Sequence, residues 1–223
     1  MGIPVLLDDR PWFPDPRLAL RSGSSNGLVA VGGDLSPLRL MRAYRAGIFP
    51  WTDEPLTWWS PDPRAIIELE QFHIPHSLQK TLRRGCFRVT VNQAFREVMG
   101  ECAAPAPGRR TTWITPNFVE AYARLHEAGH AHSVECWLGD TLAGGVYGVA
   151  VGGFFSGESM FHRAPNASKV ALCHLFERLK TRGIKLFDIQ QLTPVTRQLG
   201  GVLIPRELYL SRLKEAVTMP VSF

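Results

Sequence analysis

The sequence predicts an α+β fold built around one mixed, mostly antiparallel sheet. Three apolar runs in the second half, at 133–138, 141–151 and 154–161, are separated by short turns, which is typical of an antiparallel meander. An amphipathic stretch at 168–182 ends at a glycine and is followed by a β-like run at 185–190. A last helical pattern closes the chain, and this order of elements indicates helices packed on one sheet.

The first half of the chain is less regular. Residues 1–64 are rich in proline, glycine and tryptophan and predict turns and rigid loops, with one helix at 38–47. Residues 65–108 predict a small α/β part, in which strands and helices alternate at 65–72, 77–85, 87–91 and 92–103. We assign 1–64 and 65–108 together to an N-terminal domain and 109–223 to a C-terminal domain, because a proline- and arginine-containing loop lies between them.

Composition argues against several classes of protein. The 223 residues carry a net charge of +5, which suits a polyanionic partner. No apolar run approaches the roughly 20 residues of a membrane-spanning helix, and the acidic, proline-containing N-terminus does not fit a signal peptide. The four cysteines are widely spaced and include no C-x-x-C pair, which favours reduced structural thiols. We therefore expect a soluble cytoplasmic protein that acts as a monomer.

The stretch HEAGH, from His126 to His130, matches the zinc-peptidase pattern H-E-x-x-H letter for letter. That pattern needs both histidines one turn apart on one face of a helix. The helix that begins at Thr115 should end at Gly129, because glycine is the commonest helix terminator. His130 then lies beyond the helix, so we expect a coincidental match and no metal site.

Three polar residues lie within apolar strands and are the candidates for chemistry. Glu158 follows a glycine in FFSGESMF, and a carboxylate there either faces solvent or lies in a pocket that receives a cation. Asp188 and Gln190 are two residues apart in the predicted strand, so alternation places them on one face. An acid beside an amide can orient an incoming amine and take part in proton transfer, although either pattern alone is more often structural.

Several longer motifs, in a fixed order across nearly the whole chain, resemble the leucyl/phenylalanyl-tRNA–protein transferase family. They are GLVAVGGDLSPLRL, AYRAGIFPW, WWSPDPR, TWITP, AYARLHEAGHAHSVE, GGVYGVAVGGFFSGESMF, NASKVAL and FDIQQL. The resemblance implies transfer of leucine or phenylalanine from aminoacyl-tRNA to proteins that begin with Arg or Lys, which marks them for N-end-rule degradation. It also implies a C-terminal domain similar to the GNAT acyltransferase fold. An aminoacyl ester is already activated, so we expect no cofactor, ATP or metal.

The resemblance also implies roles for the candidate residues. Asp188 would orient Gln190, and Gln190 would contact the attacking amine. Glu158 would pair with the positive N-terminal residue of the acceptor protein. Trp51 and Trp113 would bracket the terminal adenosine and the aminoacyl group, since aromatic faces suit base stacking.

Two further sets of residues follow from the same resemblance. The leucyl or phenylalanyl side chain would enter an apolar pocket, whose candidates are Val146, Phe155 and Met160. The acceptor-stem phosphates would follow a basic path of Lys80, Arg83 and Arg84, joined by Arg88, Arg109 and Arg110. An ordinary solvated helix face explains the same basic pattern equally well.

The sequence departs from the family pattern at His76, Val195 and Gln198, where arginine, histidine and serine are usual. These differences bear on tRNA contacts and on acceptor preference. Two other functions stay open. An acetyl-CoA-dependent GNAT enzyme would need a glycine-rich loop that RAPNASK lacks, and in a non-catalytic RNA-binding module Asp188 and Gln190 would be dispensable.

Overall fold

The computed structural model describes residues 4–21, 23–105 and 112–223. These residues form two sheets instead of the one that the sequence predicts, with four strands near the N-terminus and seven drawn from the rest of the chain. The predicted α+β class is confirmed, and so is the mixed, mostly antiparallel character of the main sheet.

The smaller sheet lies within residues 1–64, for which the prediction of turns and loops is wrong. Its strands are β1 (Val5–Leu7), β2 (Leu28–Gly32), β3 (Phe49–Asp53) and β4 (Leu56–Trp59), in the order β1-β2-β4-β3. The predicted helix is present as α1 (Pro37–Arg45). Proline is compatible with this sheet because Pro50 lies on β3, an edge strand that needs no donor on its free side.

The larger sheet positions the candidate site. Its strands are β5 (Arg64–Ile67), β6 (Arg88–Val91), β7 (Ala131–Leu138), β8 (Thr141–Val151), β9 (Phe154–His162), β10 (Leu186–Gln190) and β11 (Gly201–Ile204), in the order β11-β5-β10-β9-β8-β7-β6. The predicted meander is confirmed as β7, β8 and β9, and β10 returns parallel to β9. An early strand, β5, and the last strand, β11, are therefore neighbours at one end of the sheet, and β6 forms the opposite edge.

Helices cover both faces of this sheet. The remaining ones are α2 (His76–Arg84), α3 (Phe95–Ala103), α4 (Pro116–Glu127), α5 (Ala167–Arg182), α6 (Pro194–Gln198) and α7 (Arg206–Ala216). One apolar cluster joins α1, α3, α4 and α7 to the smaller sheet, and a second cluster lies under α5 and α2. The short elements α6 and β11 are additions that the sequence reading did not predict.

The main sheet crosses the domain division drawn from the sequence. Strands β5 and β6 come from the part assigned to the N-terminal domain, yet they pair with β10 and β7 from the second half. The predicted boundary between 108 and 109 lies outside the described residues, as do Arg109 and Arg110, and the division stays a prediction. None of the helices in the described ranges is long and apolar enough to cross a membrane.

The helix that carries the HEAGH motif ends as predicted. Helix α4 stops at Glu127, and Gly129 adopts a left-handed conformation with φ of +78°. His126 lies in the last turn, where its Nδ1 is 2.8 Å from the carbonyl oxygen of Ala131 and its ring stacks on Phe95. His130 lies past the end of the helix, so the two histidines do not share a helical face.

Candidate active site

A cavity of about 250 Å³ lies between the edge of the smaller sheet and the end of β10. Four of the residues predicted to act in chemistry or tRNA binding line it, namely Trp51, Trp113, Glu158 and Gln190. The rest of its lining is Phe49, Pro50, Ile189, Gln191 and Thr193. A larger groove of about 580 Å³ lies between α2, β6 and α5, but its described lining residues include no carboxylate. The chemistry therefore favours the smaller cavity.

Glu158 enters the cavity from a β-bulge in β9. Tyr147 pairs with Ser159 and Gly148 pairs with Gly157, so Glu158 is the extra residue between them. Bulges re-aim side chains and are common next to active sites. The Oε1 atom of Glu158 accepts hydrogen bonds from the Ser156 hydroxyl at 2.8 Å and from the Gln190 amide at 2.9 Å.

The second carboxyl oxygen of Glu158 lies inside the protein. Oε2 is buried and has no hydrogen-bond partner of standard geometry among the described residues. Burial raises the pKa of Glu158 to about 7, although the Ser156, Gln190 and Tyr44 groups act in the opposite direction. A carboxyl with this pKa exchanges a proton readily at neutral pH, which suits acid–base chemistry.

Asp188 is fully buried in β10 and already has four hydrogen-bond donors. Arg64 binds it in a bidentate manner, from Nε to Oδ1 at 2.9 Å and from Nη2 to Oδ2 at 2.6 Å. Tyr209 donates its hydroxyl to Oδ2 at 2.9 Å, and the main-chain N–H of Gln190 donates to Oδ1 at 2.8 Å. Because a carboxylate accepts about four hydrogen bonds, no site on Asp188 is left for a substrate.

Asp188 acts on Gln190 through the main chain. The two side chains lie on one face, as alternation predicts, since Asp188 pairs with Ser156 of β9 and the Gln190 amide donates to the Ser156 hydroxyl. The contacts described for them include no hydrogen bond between the two side chains. Gln190 adopts a left-handed conformation with φ of +60°, and its side-chain amide donates to Glu158 and to Ser156 rather than to Asp188. The contact from Asp188 to the Gln190 N–H holds this uncommon backbone conformation.

Trp51 and Trp113, which we call the tryptophan pair, lie on different elements that one carboxylate ties together. Trp51 is the bulged residue of β3, and its ring packs edge-on against Trp59 at 5.3 Å. Trp113 lies just before α4. The Asp53 carboxylate at the end of β3 accepts a hydrogen bond from the Thr115 hydroxyl at the start of α4, so the two tryptophans are held on linked supports.

Val146, Phe155 and Met160 do not line this cavity. They belong to the apolar cluster under α5, on the other side of the main sheet from Trp51 and Trp113. Strand alternation explains the separation, because Phe155 directly precedes Ser156, whose side chain faces Glu158 and Gln190. The structure therefore does not bring the predicted side-chain pocket to the cavity.

The other predicted residues within the described ranges lie on helices α2 and α6 and on strand β6. Lys80, Arg83 and Arg84 are exposed on α2 and are called the α2 basic cluster below. Arg88 is also exposed, and its guanidinium lies over the Trp137 ring. The departures from the family pattern lie at the first residue of α2, His76, and on α6, Val195 and Gln198. Helix α6 follows Thr193 of the cavity wall directly.

The structure adds residues that the sequence reading missed. Arg64 and Tyr209 hold Asp188, and Ser156 binds Glu158. The hydroxyls of Tyr44 in α1 and Tyr122 in α4 lie 2.5 Å apart behind Glu158, and both side chains are buried. Arg64 could have been suspected as a charge at the start of an apolar run, but the tyrosines look like ordinary core residues of their helices.

Comparison of the sequence with known proteins matches one family over most of the chain. The sequence profile of the leucyl/phenylalanyl-tRNA protein transferase family matches residues 66–214, and the profile of its N-terminal domain matches residues 33–62. The leucyl/phenylalanyl-tRNA–protein transferase of Anaeromyxobacter dehalogenans strain 2CP-C is 51% identical over 217 residues, which is 96% of this chain and 91% of that protein. The transferase of Nitratidesulfovibrio vulgaris strain DP4 is 47% identical over 223 residues, covering 99% and 94%. Among solved structures, a GCN5-related N-acetyltransferase from Kribbella flavida aligns with a TM-score of 0.36 and 12% identity, over 72% of this chain and 57% of that one.

Proposed function

The chain belongs to the leucyl/phenylalanyl-tRNA protein transferase family, and we propose that it moves leucine or phenylalanine from aminoacyl-tRNA to the N-terminal α-amino group of proteins that begin with Arg or Lys. The observation that carries this proposal is the convergence of Trp51, Trp113, Glu158 and Gln190 on one cavity. The transfer marks the acceptor protein for N-end-rule degradation. The reaction takes place in the cytoplasm, where aminoacyl-tRNA is made.

The tryptophan pair supplies the binding surface for the 3′ end of the tRNA. Both indoles line the cavity, and stacking of a base on an aromatic ring contributes about 1–3 kcal/mol. The ester bond is already activated, so the protein has to hold the ester carbonyl against the incoming amine. Such positioning can contribute roughly 7–11 kcal/mol to lowering the barrier.

Gln190 and Glu158 form the acceptor side of the cavity. The Gln190 amide nitrogen donates to Glu158 Oε1 at 2.9 Å, so an amine that contacts one of these side chains contacts both. The carboxyl of Glu158 favours acceptors that bring positive charge, which agrees with Arg or Lys at the N-terminus. Asp188 contributes indirectly, because it holds the Gln190 main chain while Arg64 and Tyr209 occupy its remaining sites.

The test is transfer of radiolabelled leucine from Leu-tRNA to peptides that differ only in their first residue. We expect labelling of Arg and Lys peptides without ATP or added metal, and loss of that selectivity in Glu158→Ala. Glu127→Ala is the matched control, because Glu127 is an exposed carboxylate at the end of α4. Transfer to peptides with acidic first residues would contradict the acceptor assignment, and absence of transfer from fully charged tRNA to any peptide would contradict the proposed reaction.

A further inference from the structure

The proposed reaction needs a proton acceptor in the cavity. The N-terminus of a protein arrives largely as an ammonium group, since its ordinary pKa is about 8, and it must lose one proton before nitrogen can attack the ester. We propose that Glu158 takes this proton from the acceptor's α-ammonium group, and that the paired hydroxyls of Tyr44 and Tyr122 adapt to the two charge states of Glu158. This inference rests on the proposed function and goes beyond the charge pairing assigned to Glu158 above.

The neighbouring polar groups cannot serve as the proton acceptor. Asp188 lies on the adjacent strand, but each of its oxygens already accepts two hydrogen bonds, and the bidentate pair with Arg64 is buried at both ends. Gln190 is an amide, which has no basic site near neutral pH. Among the described residues of the cavity wall, Glu158 is the one that carries a carboxyl group.

The position of Glu158 fits an alternation between charged and neutral forms. Its Oε1 accepts from Gln190, which itself lines the cavity, whereas Oε2 is buried and has no hydrogen-bond partner of standard geometry among the described residues. The Tyr44 hydroxyl interacts with the same carboxyl and lowers its pKa, and Asp188 raises it. The other ionisable groups that act with this site are Arg64 of β5, Tyr122 of α4, Tyr147 of β8 and Tyr209 of α7.

The tyrosine pair can satisfy either form of the carboxyl. The two hydroxyl oxygens are 2.5 Å apart, and either one can be the donor. When Glu158 is ionised, Tyr122 donates to Tyr44 and Tyr44 turns its own hydrogen toward the carboxylate. When Glu158 is protonated, Tyr44 donates to Tyr122 and accepts from the carboxylic acid. A buried carboxyl without such a partner would be penalised heavily in its charged form.

The proton balance of the step is complete. The α-ammonium gives one proton to the Glu158 carboxylate and becomes a neutral amine, whose nitrogen attacks the ester carbonyl. A C–N bond forms, the C–O bond to the ribose breaks, and the ribose oxygen receives the second proton lost by the nitrogen. Glu158 then releases its proton to solvent before the next turnover.

The experiment compares two forms of one peptide in single-turnover transfer at saturating peptide. One begins with arginine, and the other begins with the aminooxy analogue of arginine, whose terminal nitrogen is already neutral across the assay range. Glu158→Gln should slow transfer to the arginine peptide by roughly 10²–10⁴-fold below neutral pH and slow the aminooxy peptide far less. That deficit should shrink as the pH passes the ordinary pKa of an α-amine, about 8.

Two further variants distinguish a role of Glu158 in proton transfer from a purely structural role. Tyr44→Phe should move the acid limb of the pH–rate profile to higher pH, because the ionised Glu158 loses a donor. Glu127→Gln, a change to an exposed carboxylate, should leave the profile unchanged. Equal slowing of both peptides by Glu158→Gln, or an unshifted profile in Tyr44→Phe, would overturn this inference while leaving the proposed function intact. Failure of the wild type to label either peptide would instead contradict the proposed function.

Discussion

Replacing Arg64 by methionine tests the buried arrangement that supports the site. Arg64 and Asp188 have side-chain exposures of 2% and 0%, and their two hydrogen bonds are 2.9 and 2.6 Å long. Methionine fills part of the same volume but leaves Asp188 with the Tyr209 hydroxyl and the Gln190 N–H as its donors. Removing one partner of a buried ion pair costs about 3–5 kcal/mol, because the other charge stays buried without compensation.

The free energy of unfolding, measured in urea by tryptophan fluorescence, should therefore fall by about that amount in Arg64→Met. The matched control is Arg96→Met, since Arg96 pairs with Glu120 at 3.0 Å but both side chains are more than half exposed. An exposed pair contributes far less to stability than a buried one, because solvent screens the two charges.

The double variant Arg64→Met with Asp188→Asn isolates the interaction itself. Its loss of stability should be smaller than the sum of the two single losses, by at least about 1 kcal/mol, because the amide removes the uncompensated charge. The reasoning is refuted if Arg64→Met costs no more than Arg96→Met, or if the two single losses simply add.

Three other predictions concern substrate binding and pH. Alanine at either member of the tryptophan pair should weaken binding of aminoacyl-tRNA by about 1–3 kcal/mol, as measured by KM. Trp12→Ala, a change outside the cavity lining, should not weaken it. Equal effects would contradict the stacking role. Replacing all three residues of the α2 basic cluster by alanine should reduce the slope of log Kd against log salt for tRNA by about 2–3, at roughly 0.7–0.9 per phosphate contact. An unchanged slope would show that this helix face is merely solvated. The pKa of Glu158 is raised from 4.5 to about 7, so the folded state binds this proton more tightly than the unfolded state. The ionised Glu158 therefore lowers the free energy of unfolding. This loss grows as the pH rises from 4.5 to 7 and persists above pH 7. Glu158→Gln should accordingly stabilise the protein by about 1–3 kcal/mol above pH 7 and by nearly nothing below pH 4.5 in urea titrations; the same gain at both pH values would contradict the assignment.

The elements with a clear period could be predicted from the sequence. The meander and helices α4 and α5 are long and periodic, and a glycine follows the end of each helix within two residues, so the structure places them where the pattern does. The smaller sheet could not be predicted, because its strands have only three to five residues and include Pro50. Short strands leave no measurable alternation, and their order is decided by tertiary packing.

Some residues of the candidate site could likewise be predicted from the sequence, and others could not. Glu158 and Asp188 could be found, because a carboxyl in an apolar strand is costly unless the fold uses it. Their partners could not be found, since Arg64 lies 124 residues before Asp188 and the tyrosine pair spans 78 residues. The β-bulge at Glu158 also breaks the alternation on which sequence reasoning about strand faces depends.

The most direct measurement is a crystal structure of the protein with leucyl-adenosine in which an amide replaces the ester. The adenine should lie against the tryptophan pair, Trp51 and Trp113, with the leucyl carbonyl facing Gln190 and Glu158. Adenosine bound instead in the groove between α2, β6 and α5, with the cavity unchanged, would contradict the central claim that aminoacyl transfer takes place in this cavity.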